Sequence, residues 1–181
     1  MKKIITILAF LCTAMMAVHA ERVQVGAEQT KQYLPLLKGK RVALLSNHTG
    51  IVIQGKDTIH TLDLLLKHGV EVTAIFSPEH GFRGTAREGE HVSSSIDEKT
   101  GIPILSLYDG KSYRPSKEAM ATFDILITDI QDVGLRFYTY YITMFRLMDA
   151  CAHEGKQFMV FDRPNPNGYY VDGPILDMKH K

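Results

Sequence analysis

The residues best suited to chemistry in this sequence form the segment Ser77-Pro78-Glu79-His80-Gly81, which directly follows an apolar run. Its proline fixes the backbone before Glu79, and its glycine permits a tight turn after it. A carboxyl group on such a turn, beside the apolar Phe76 and Phe82, is suited to keep its proton and donate it as a general acid. The alternative is a structural Glu79 that caps a turn or pairs with Arg83.

Other polar residues could complete such a site. Glu90 and Asp129 are candidates for the second carboxylate of glycoside hydrolysis, although either could equally be an exposed loop acid or a helix cap. His48 and His80 could ligate a metal, but their spacing matches no standard metal motif, so no metal is predicted. Arg136, near the start of a predicted helix, could bind an anionic group.

Apolar runs alternate with helical patterns along the chain. Strands are predicted at residues 41–46, 70–76, 102–107, 124–128 and 157–161. Helices are predicted at 27–37, from an Asp57 cap to Gly69, from a Ser116 cap to Phe123, and at 135–153. Strands that are apolar throughout are buried on both faces, which predicts an α/β fold with a Rossmann-like, doubly wound, mainly parallel sheet and helices on both faces. An antiparallel α+β sheet is the alternative.

Polar or Gly- and Pro-rich residues follow every predicted strand. They occupy residues 47–50, 77–84, 108–110, 129–134 and 162–165. Because ligands bind outside the carboxyl ends of the strands in an open parallel sheet, these loops together predict a polar cleft at one edge. Tyr138 and Tyr140 could stack on a sugar ring there, or they could belong to the core.

The N-terminal 20 residues have the pattern of a secretory signal peptide. Lys2 and Lys3 precede an uncharged apolar run, and Val18-His19-Ala20 approximates a cleavage site, so we expect export to the periplasm or beyond. The run is too short for a stable membrane anchor, since a spanning helix needs about 20 apolar residues. Without residues 1–20 the formal net charge changes from +1 to −1, which gives no electrostatic case for binding nucleic acid.

Several site classes find no support in the sequence. It contains no G-x-G-x-x-G segment after the first predicted strand, no Walker A segment and no G-x-S-x-G elbow. No cofactor is therefore predicted. Cys151 alone remains after removal of the predicted signal peptide, and its helical apolar context indicates a buried thiol.

Five motifs, taken together and in order, closely resemble the exo-β-N-acetylmuramidase (NamZ-type) family of glycoside hydrolases. They span residues 37–42, 46–50, 77–84, 129–140 and 162–166. The resemblance extends from about Val25 to the last residue. It implies an exported glycosidase that removes N-acetylmuramic acid from the non-reducing ends of peptidoglycan fragments. It also implies a Rossmann-like N-terminal domain and a C-terminal domain, with the site between them.

The resemblance also implies roles for individual residues, and Glu79 is the leading catalytic candidate. The other motif positions expected to face the cleft are Asn47, His80, Arg83, Glu90, Asp129, Arg136, Tyr138, Asp162 and Arg163. Glu90, with Asp129 in reserve, is expected to activate water or stabilise the transition state, unless the substrate's N-acetyl group assists instead. Arg83 or Arg136 is expected to pair with the lactyl carboxylate.

The expected domain organisation is a signal peptide at 1–20, the catalytic Rossmann-like domain at 21–168 and the start of a linker at 169–181. Family members usually continue further, so a completing C-terminal domain is expected but absent here, which could leave this chain inactive alone. The alternative function is a non-catalytic periplasmic module that binds muropeptides or sugars. A third reading is a metal-dependent hydrolase acting through His48, His80 and Asp129.

Overall fold

The computed structural model describes residues 22–82, 94–107 and 113–180, and these form an α/β fold. In chain order the strands are β1 (Arg41–Ser46), β2 (Ile51–Gln54), β3 (Asp57–His60), β4 (Glu71–Ser77), β5 (Ser95–Ile96), β6 (Pro103–Ser106), β7 (Ile125–Asp129) and β8 (Gln157–Val160). The helices are α1 (Thr30–Leu37), α2 (Thr61–Lys67), α3 (Lys117–Ala121) and α4 (Tyr140–His153). Short 3₁₀ turns cover Gly26–Glu28 and Met178–His180.

The central sheet has six strands in the order β5-β6-β4-β1-β7-β8. Its strands are parallel except β5, which pairs antiparallel with β6 at the edge. The order places β1 in the interior, with β4 and β7 on either side of it. This is the arrangement of a doubly wound sheet, in which later strands are added on both sides of the first one. The predicted mainly parallel sheet is confirmed.

The side chains of each strand alternate between two apolar layers. Val42 and Leu44 of β1 pack in the layer that contains α1 and α2, whereas Ala43 and Leu45 pack in the layer that contains α3 and α4. The helices contribute Tyr33, Leu37, Leu62, Leu64 and Leu65 to the first layer, and Met120, Leu147, Ala150 and Cys151 to the second. Because both faces are covered, β1 and β7 need apolar residues at successive positions, and each fully buried Leu or Ile contributes about 1.5–3 kcal/mol.

The one cysteine in the described part of the chain lies inside the second layer. Cys151 is 1% exposed and carries a free thiol. Burial raises the pKa of the Cys151 thiol to about 11, against a smaller opposing effect of Lys156. The thiol therefore stays protonated at neutral pH and acts as a small core residue, which confirms the prediction of a buried cysteine.

The structure corrects the prediction for residues 51–60. These form an antiparallel hairpin, β2–β3, turned at Gly55 with φ +67°, instead of leading into a helix from an Asp57 cap. The N-cap of α2 is His60, whose Nδ1 accepts from the backbone N–H of Leu62 at 3.1 Å. Three successive β-branched or apolar residues, Ile51–Ile53, favour a strand here more than a single acidic cap favours a helix.

The start of α4 and the edge strand also differ from the sequence-based expectation. The helix begins at Tyr140, because residues 135–138 form a separate turn in which the N–H of Tyr138 donates to Leu135 O at 3.0 Å. The edge strand β5 was not predicted, because two residues are too few to show the alternation of apolar and polar side chains that marks a strand. The N-cap role of Ser116 is confirmed by the hydrogen bond that its Oγ accepts from the N–H of Ala119.

None of the helices in residues 22–82, 94–107 and 113–180 has the length and apolar character required to cross a membrane. The predicted signal peptide lies outside the described residues. Residues 169–177 have no regular secondary structure and are exposed, with Val171 and Ile175 almost fully so.

The ion pair between Arg41 and Asp124 at the amino end of the sheet makes stability depend on pH. Arg41 donates to Asp124 Oδ1 from Nη2 at 2.7 Å and to Oδ2 from its backbone N–H at 2.9 Å. These hydrogen bonds lower the pKa of Asp124 from 3.8 to about 2. A carboxyl with a depressed folded pKa stabilises the fold above its unfolded pKa, and that contribution is lost as pH falls through its folded pKa.

We therefore expect the wild-type chain to lose stability as pH falls from 3.8 to about 2 more steeply than Asp124→Asn does. Urea unfolding of both proteins at several pH values across this window measures the difference. The other carboxyl groups affect the free energy of unfolding of both proteins equally. The difference between the two pH dependences therefore reports Asp124. Equal slopes for the two proteins would refute the assignment.

Candidate functional site

The carboxyl ends of the central strands meet at one edge of the sheet. Ser46, the last residue of β1, lies beside Asp129, the last residue of β7, and Ser77 of β4 lies beside Ser106 of β6. The residues that follow these positions therefore emerge together. They belong to the loops that the sequence marked as polar, which places Asn47 and Glu79 at the edge where parallel sheets bind ligands.

The turn after β4 fixes the backbone around Glu79. The N–H of Gly81 donates to Pro78 O at 3.1 Å, which closes a tight turn. Within it, His80 has φ 71°, a left-handed conformation that is uncommon for a residue with a side chain. Such conformations persist where the surrounding structure enforces them, and they cluster at functional sites.

The carboxyl group of Glu79 is half-buried and receives one strong hydrogen bond. Thr139, just before α4, donates from Oγ1 to Glu79 Oε2 at 2.6 Å, across 60 residues of sequence. Glu79 and His80 line a cavity of about 460 Å³ together with residues 137–140. An acid beside three aromatic rings, Phe137, Tyr138 and Tyr140, matches a pocket for a sugar, whose apolar faces stack on aromatics and whose bond to be cleaved needs a proton donor.

Asp129 lies in a different environment. It is fully buried, and Arg163 donates to its two oxygens, from Nε to Oδ1 at 2.5 Å and from Nη2 to Oδ2 at 3.0 Å. Thr61 Oγ1 donates a further short hydrogen bond to Oδ2. Both carboxylate oxygens are therefore occupied by groups of the fold. The arrangement joins β7, the start of α2 and the loop after β8.

Arg163 is equally committed to the fold. Its side chain is 6% exposed, and Nη2 also donates to Ile51 O at 3.0 Å. A guanidinium with these partners ties the hairpin β2–β3 to the end of the sheet. The geometry gives the predicted substrate-binding residue Arg163 a structural role at this edge.

Asn47 is fully buried, and its Oδ1 accepts from Thr49 twice, from the N–H at 3.0 Å and from Oγ1 at 2.6 Å. Thr49 Oγ1 in turn accepts from the N–H of Gln131 at 3.0 Å, which links the loops after β1 and β7. The amide nitrogen Nδ2 of Asn47 finds no hydrogen-bond partner among the described residues. Asn47 thus anchors the loops that frame the edge.

The other predicted substrate-binding residues are more exposed. Tyr138 lines the cavity beside Glu79, and Arg136 lies nearby on the same segment, where Nη2 approaches Pro174 O at 3.4 Å. Asp162 is exposed, and its backbone carbonyl accepts from the N–H of Gly26 at 2.7 Å. Arg83 and Glu90 lie outside the described residues, so their predicted roles stay predictions.

A second, larger depression adjoins the first. It has a volume of about 890 Å³ and is lined by residues 134–137 and by the C-terminal segment 170–177. Phe137 borders both cavities. Arg136 lines the second cavity and directly precedes Phe137 in the sequence.

The described residues contain no group of three or more His, Cys, Asp or Glu side chains that could hold a metal ion. His48 is exposed in the loop after β1, while Asp129 is enclosed by Arg163 and Thr61. The third reading, a metal site built from His48, His80 and Asp129, gains no support from this arrangement.

Sequence reasoning missed two threonines at this edge, Thr61 and Thr139. Each donates a short hydrogen bond to a carboxylate distant in sequence, Thr61 to Asp129 and Thr139 to Glu79. No local pattern reveals such pairs, although Thr139 lies within the motif at residues 129–140.

Comparison with known proteins identifies close relatives. The family model described as "Exo-beta-N-acetylmuramidase NamZ, N-terminal" matches residues 42–181. The peptidoglycan beta-N-acetylmuramidase NamZ of Bacillus subtilis (strain 168) is 46% identical over 162 residues, which cover 88% of this chain and 38% of that protein. This chain therefore spans well under half the length of that relative.

Two crystal structures of DUF1343 family proteins from Bacteroides fragilis NCTC 9343 are also similar. The first is 60% identical with a TM-score of 0.70, and the match covers 87% of this chain and 39% of that protein. The second is 38% identical with a TM-score of 0.73, and the match covers 88% of this chain and 39% of that protein. Both similarities support the α/β fold described above.

Proposed function

The chain belongs to the exo-beta-N-acetylmuramidase NamZ family, whose N-terminal model it matches, and on that premise we propose that it supplies the catalytic acid of a peptidoglycan glycosidase. The substrate would be a peptidoglycan fragment with N-acetylmuramic acid at its non-reducing end, and the reaction would release that sugar. The observation that carries the proposal is Glu79, held by Thr139 in a cavity lined by aromatic rings.

In this reaction Glu79 protonates the glycosidic oxygen as the bond from C1 of N-acetylmuramic acid breaks. Asp129 is poorly placed for the second role, because Arg163 and Thr61 occupy its oxygens. Activation of water, or stabilisation of the positive charge at C1, then falls to Glu90 or to the acetamido group of the substrate. If Glu90 takes this role, the reaction needs two carboxyl groups of the protein. If the acetamido group of the substrate takes it, the reaction needs Glu79 alone.

The substrate carries a lactyl carboxylate, and Arg136 is the described arginine best placed to bind it. Arg163 is paired with Asp129, whereas Arg136 is exposed in the second cavity beside Phe137, with Nη2 at 3.4 Å from Pro174 O. A guanidinium can bind a carboxylate through two parallel hydrogen bonds, which would orient the sugar ring. Tyr138 would pack against that ring.

Export and a two-domain organisation form part of the same proposal. Residues 1–20 would direct the chain to the periplasm or beyond, residues 21–168 would form the catalytic domain, and residues 169–181 would begin a linker. A C-terminal domain would supply the remaining wall of the cleft. Substrate positioning and exclusion of water depend on such a wall.

Two proteins test the activity: this chain, and a chimaera in which it replaces the matching N-terminal part of the B. subtilis relative. The chain carries both apolar layers of its sheet, so it is expected to fold in either setting. The substrate is the disaccharide of N-acetylmuramic acid linked to N-acetylglucosamine, and free N-acetylmuramic acid is quantified by chromatography. Release by the chimaera is expected. Release by neither protein would refute the proposed activity.

The second candidate function is a non-catalytic module that binds muropeptides, because the aromatic rings that line the Glu79 cavity could stack on a sugar without any cleavage. Calorimetry of the chain with N-acetylmuramic acid and with the disaccharide distinguishes the two. Binding by the chain, together with no release by the chimaera, would support the binding module.

A further inference from the structure

Thr139 occupies the N-cap position of α4 but does not cap that helix. An N-cap threonine normally accepts a hydrogen bond from a backbone N–H in the first turn, with its backbone in the β region. Thr139 has φ −94° and ψ −8°, and its side chain makes no such bond. Its hydroxyl is turned to Glu79 instead, at 2.6 Å from Oε2. The hydroxyl is thus directed away from the helix and to the proposed acid.

The helix holds Thr139 firmly in this position. Its carbonyl accepts from Thr143 twice, from the backbone N–H at 2.9 Å and from Oγ1 at 3.0 Å. Thr143 is 1% exposed, so this anchor lies inside the protein. The donor therefore sits at the N-cap of a 14-residue helix, while the acceptor Glu79 sits on a loop.

Among the described residues, Thr139 provides the only hydrogen bond to the Glu79 carboxyl, and that bond leaves Oε1 for a substrate. In a protonated carboxyl group the carbonyl oxygen is the better acceptor, so donation to Oε2 favours the acidic proton on Oε1. Glycoside cleavage requires that proton to face the leaving oxygen.

We propose that Thr139 is a positioning residue that orients the Glu79 carboxyl and selects Oε1 as the oxygen that donates the proton. The inference rests on the proposed glycosidase function. The Oε1 proton moves to the glycosidic oxygen, which takes the electron pair of the breaking bond to C1 and leaves as an alcohol. Glu79 becomes a carboxylate and C1 is left electron-deficient. The oxygen of a water molecule then bonds to C1, directly or after transient capture of C1 by the acetamido oxygen, and the proton that this water releases restores the acid form of Glu79.

The hydrogen bond from Thr139 strengthens during this step, which is why it can accelerate the reaction. Before transfer it joins a hydroxyl to a neutral acid, whereas afterwards it joins a hydroxyl to an anion, and charge-assisted hydrogen bonds are roughly twice as strong. An interaction that is stronger in the transition state than in the ground state raises kcat.

The test compares Thr139→Val, which removes the hydroxyl but keeps the shape, with Thr139→Ser, which keeps the hydroxyl. Both are measured in the chimaera with the disaccharide substrate, beside Glu79→Gln. Thr122→Val is the matched control, since Thr122 loses a comparable hydroxyl bond, to Ala119 O, at the opposite end of the sheet. Thermal unfolding of the same variants of the chain alone reports folding.

We expect Thr139→Val to lower kcat about tenfold to a hundredfold with little change in KM, and Thr139→Ser to recover most of the rate. His80, Tyr138 and Tyr140 also line the cavity and are the same in every variant, so the difference between the valine and serine variants reports the hydroxyl group of Thr139.

Each outcome decides the inference. Turnover that Glu79→Gln abolishes and Thr139→Val leaves unchanged overturns the role of Thr139 alone. A serine variant as slow as the valine variant, or a loss that appears in KM and not in kcat, also overturns it, because then the hydroxyl is not the active feature. Absence of turnover by the wild-type chimaera overturns the proposed function and this inference with it.

Discussion

The exchange Arg163→Met is expected to lower the free energy of unfolding of this chain by about 3–5 kcal/mol. Methionine retains the apolar length of the side chain but removes the charge that pairs with Asp129. The pair is almost completely enclosed, with side-chain exposures of 6% for Arg163 and 0% for Asp129. The exchange would leave an unpaired carboxylate inside the protein, with Thr61 as its one remaining side-chain donor among the described residues. Urea unfolding followed by circular dichroism measures the change.

Arg41→Met is the matched control for this prediction. Arg41 also binds an aspartate through its guanidinium, but both side chains of the Arg41–Asp124 pair are 42% exposed. Water screens an exposed ion pair, so the control should lose much less stability at neutral pH than Arg163→Met does. A loss below about 1 kcal/mol for Arg163→Met, comparable with the control, would contradict the structural role assigned to the buried pair.

The double exchange Asp129→Asn with Arg163→Met sharpens the test. Removing both charges avoids an isolated buried carboxylate, and replacement of both members of a buried pair is often far less costly than removal of one. The double variant should therefore be more stable than Arg163→Met alone. If Asp129 instead served catalysis, its removal would be expected to abolish activity without this effect on stability.

The sequence predicted the sheet well because its strands are buried on both faces. Such strands are short, continuous apolar runs, and β1 was predicted with the bounds that the structure gives it. The prediction for residues 51–60 was wrong because a helix-capping residue, Asp57, lies within a segment that forms a hairpin. Asp57 is a good helix cap in isolation, yet it lies in β3, because pairing with Gln54 across the turn at Gly55 determines its conformation.

The place of the candidate cavity at the carboxyl ends of the strands was also predictable, but the hydrogen-bond partners of its carboxylates were not. The rule that ligands bind at the carboxyl ends of parallel strands was enough to select Glu79. The partners of the carboxylates depend on contacts between distant segments, such as the bond from Arg163 to Asp129 across 34 residues and the bond from Thr139 to Glu79 across 60. Sequence reasoning therefore grouped Asp129 with Glu79 as catalytic candidates, whereas the structure shows two different environments.

The exchange Glu79→Gln is expected to have the largest effect on activity. Glutamine has the same shape and can still accept the hydrogen bond from Thr139, but it has no acidic proton to donate. Loss of a general acid typically lowers the rate by about 10²–10⁴-fold. The release of N-acetylmuramic acid from the disaccharide by the chimaera measures this loss, and KM should change little.

A substrate with a better leaving group separates the role of acid from other roles. In the 4-nitrophenyl glycoside of N-acetylmuramic acid, the leaving group departs as a stable anion and needs little help from a proton donor. If Glu79 is the acid, Glu79→Gln should retain far more of the wild-type rate on this substrate than on the disaccharide. Equal losses on both substrates would indicate a nucleophile or an electrostatic role instead.

Glu71→Gln is the matched control for Glu79→Gln, because it makes the same exchange at the opposite end of the same strand. Glu71 is the exposed first residue of β4, whereas Glu79 follows the end of β4 at the site. Its variant should hydrolyse both substrates at the wild-type rate. Undiminished hydrolysis of the disaccharide by Glu79→Gln would remove Glu79 from the mechanism, and the acid would then have to be sought in another residue such as Glu90.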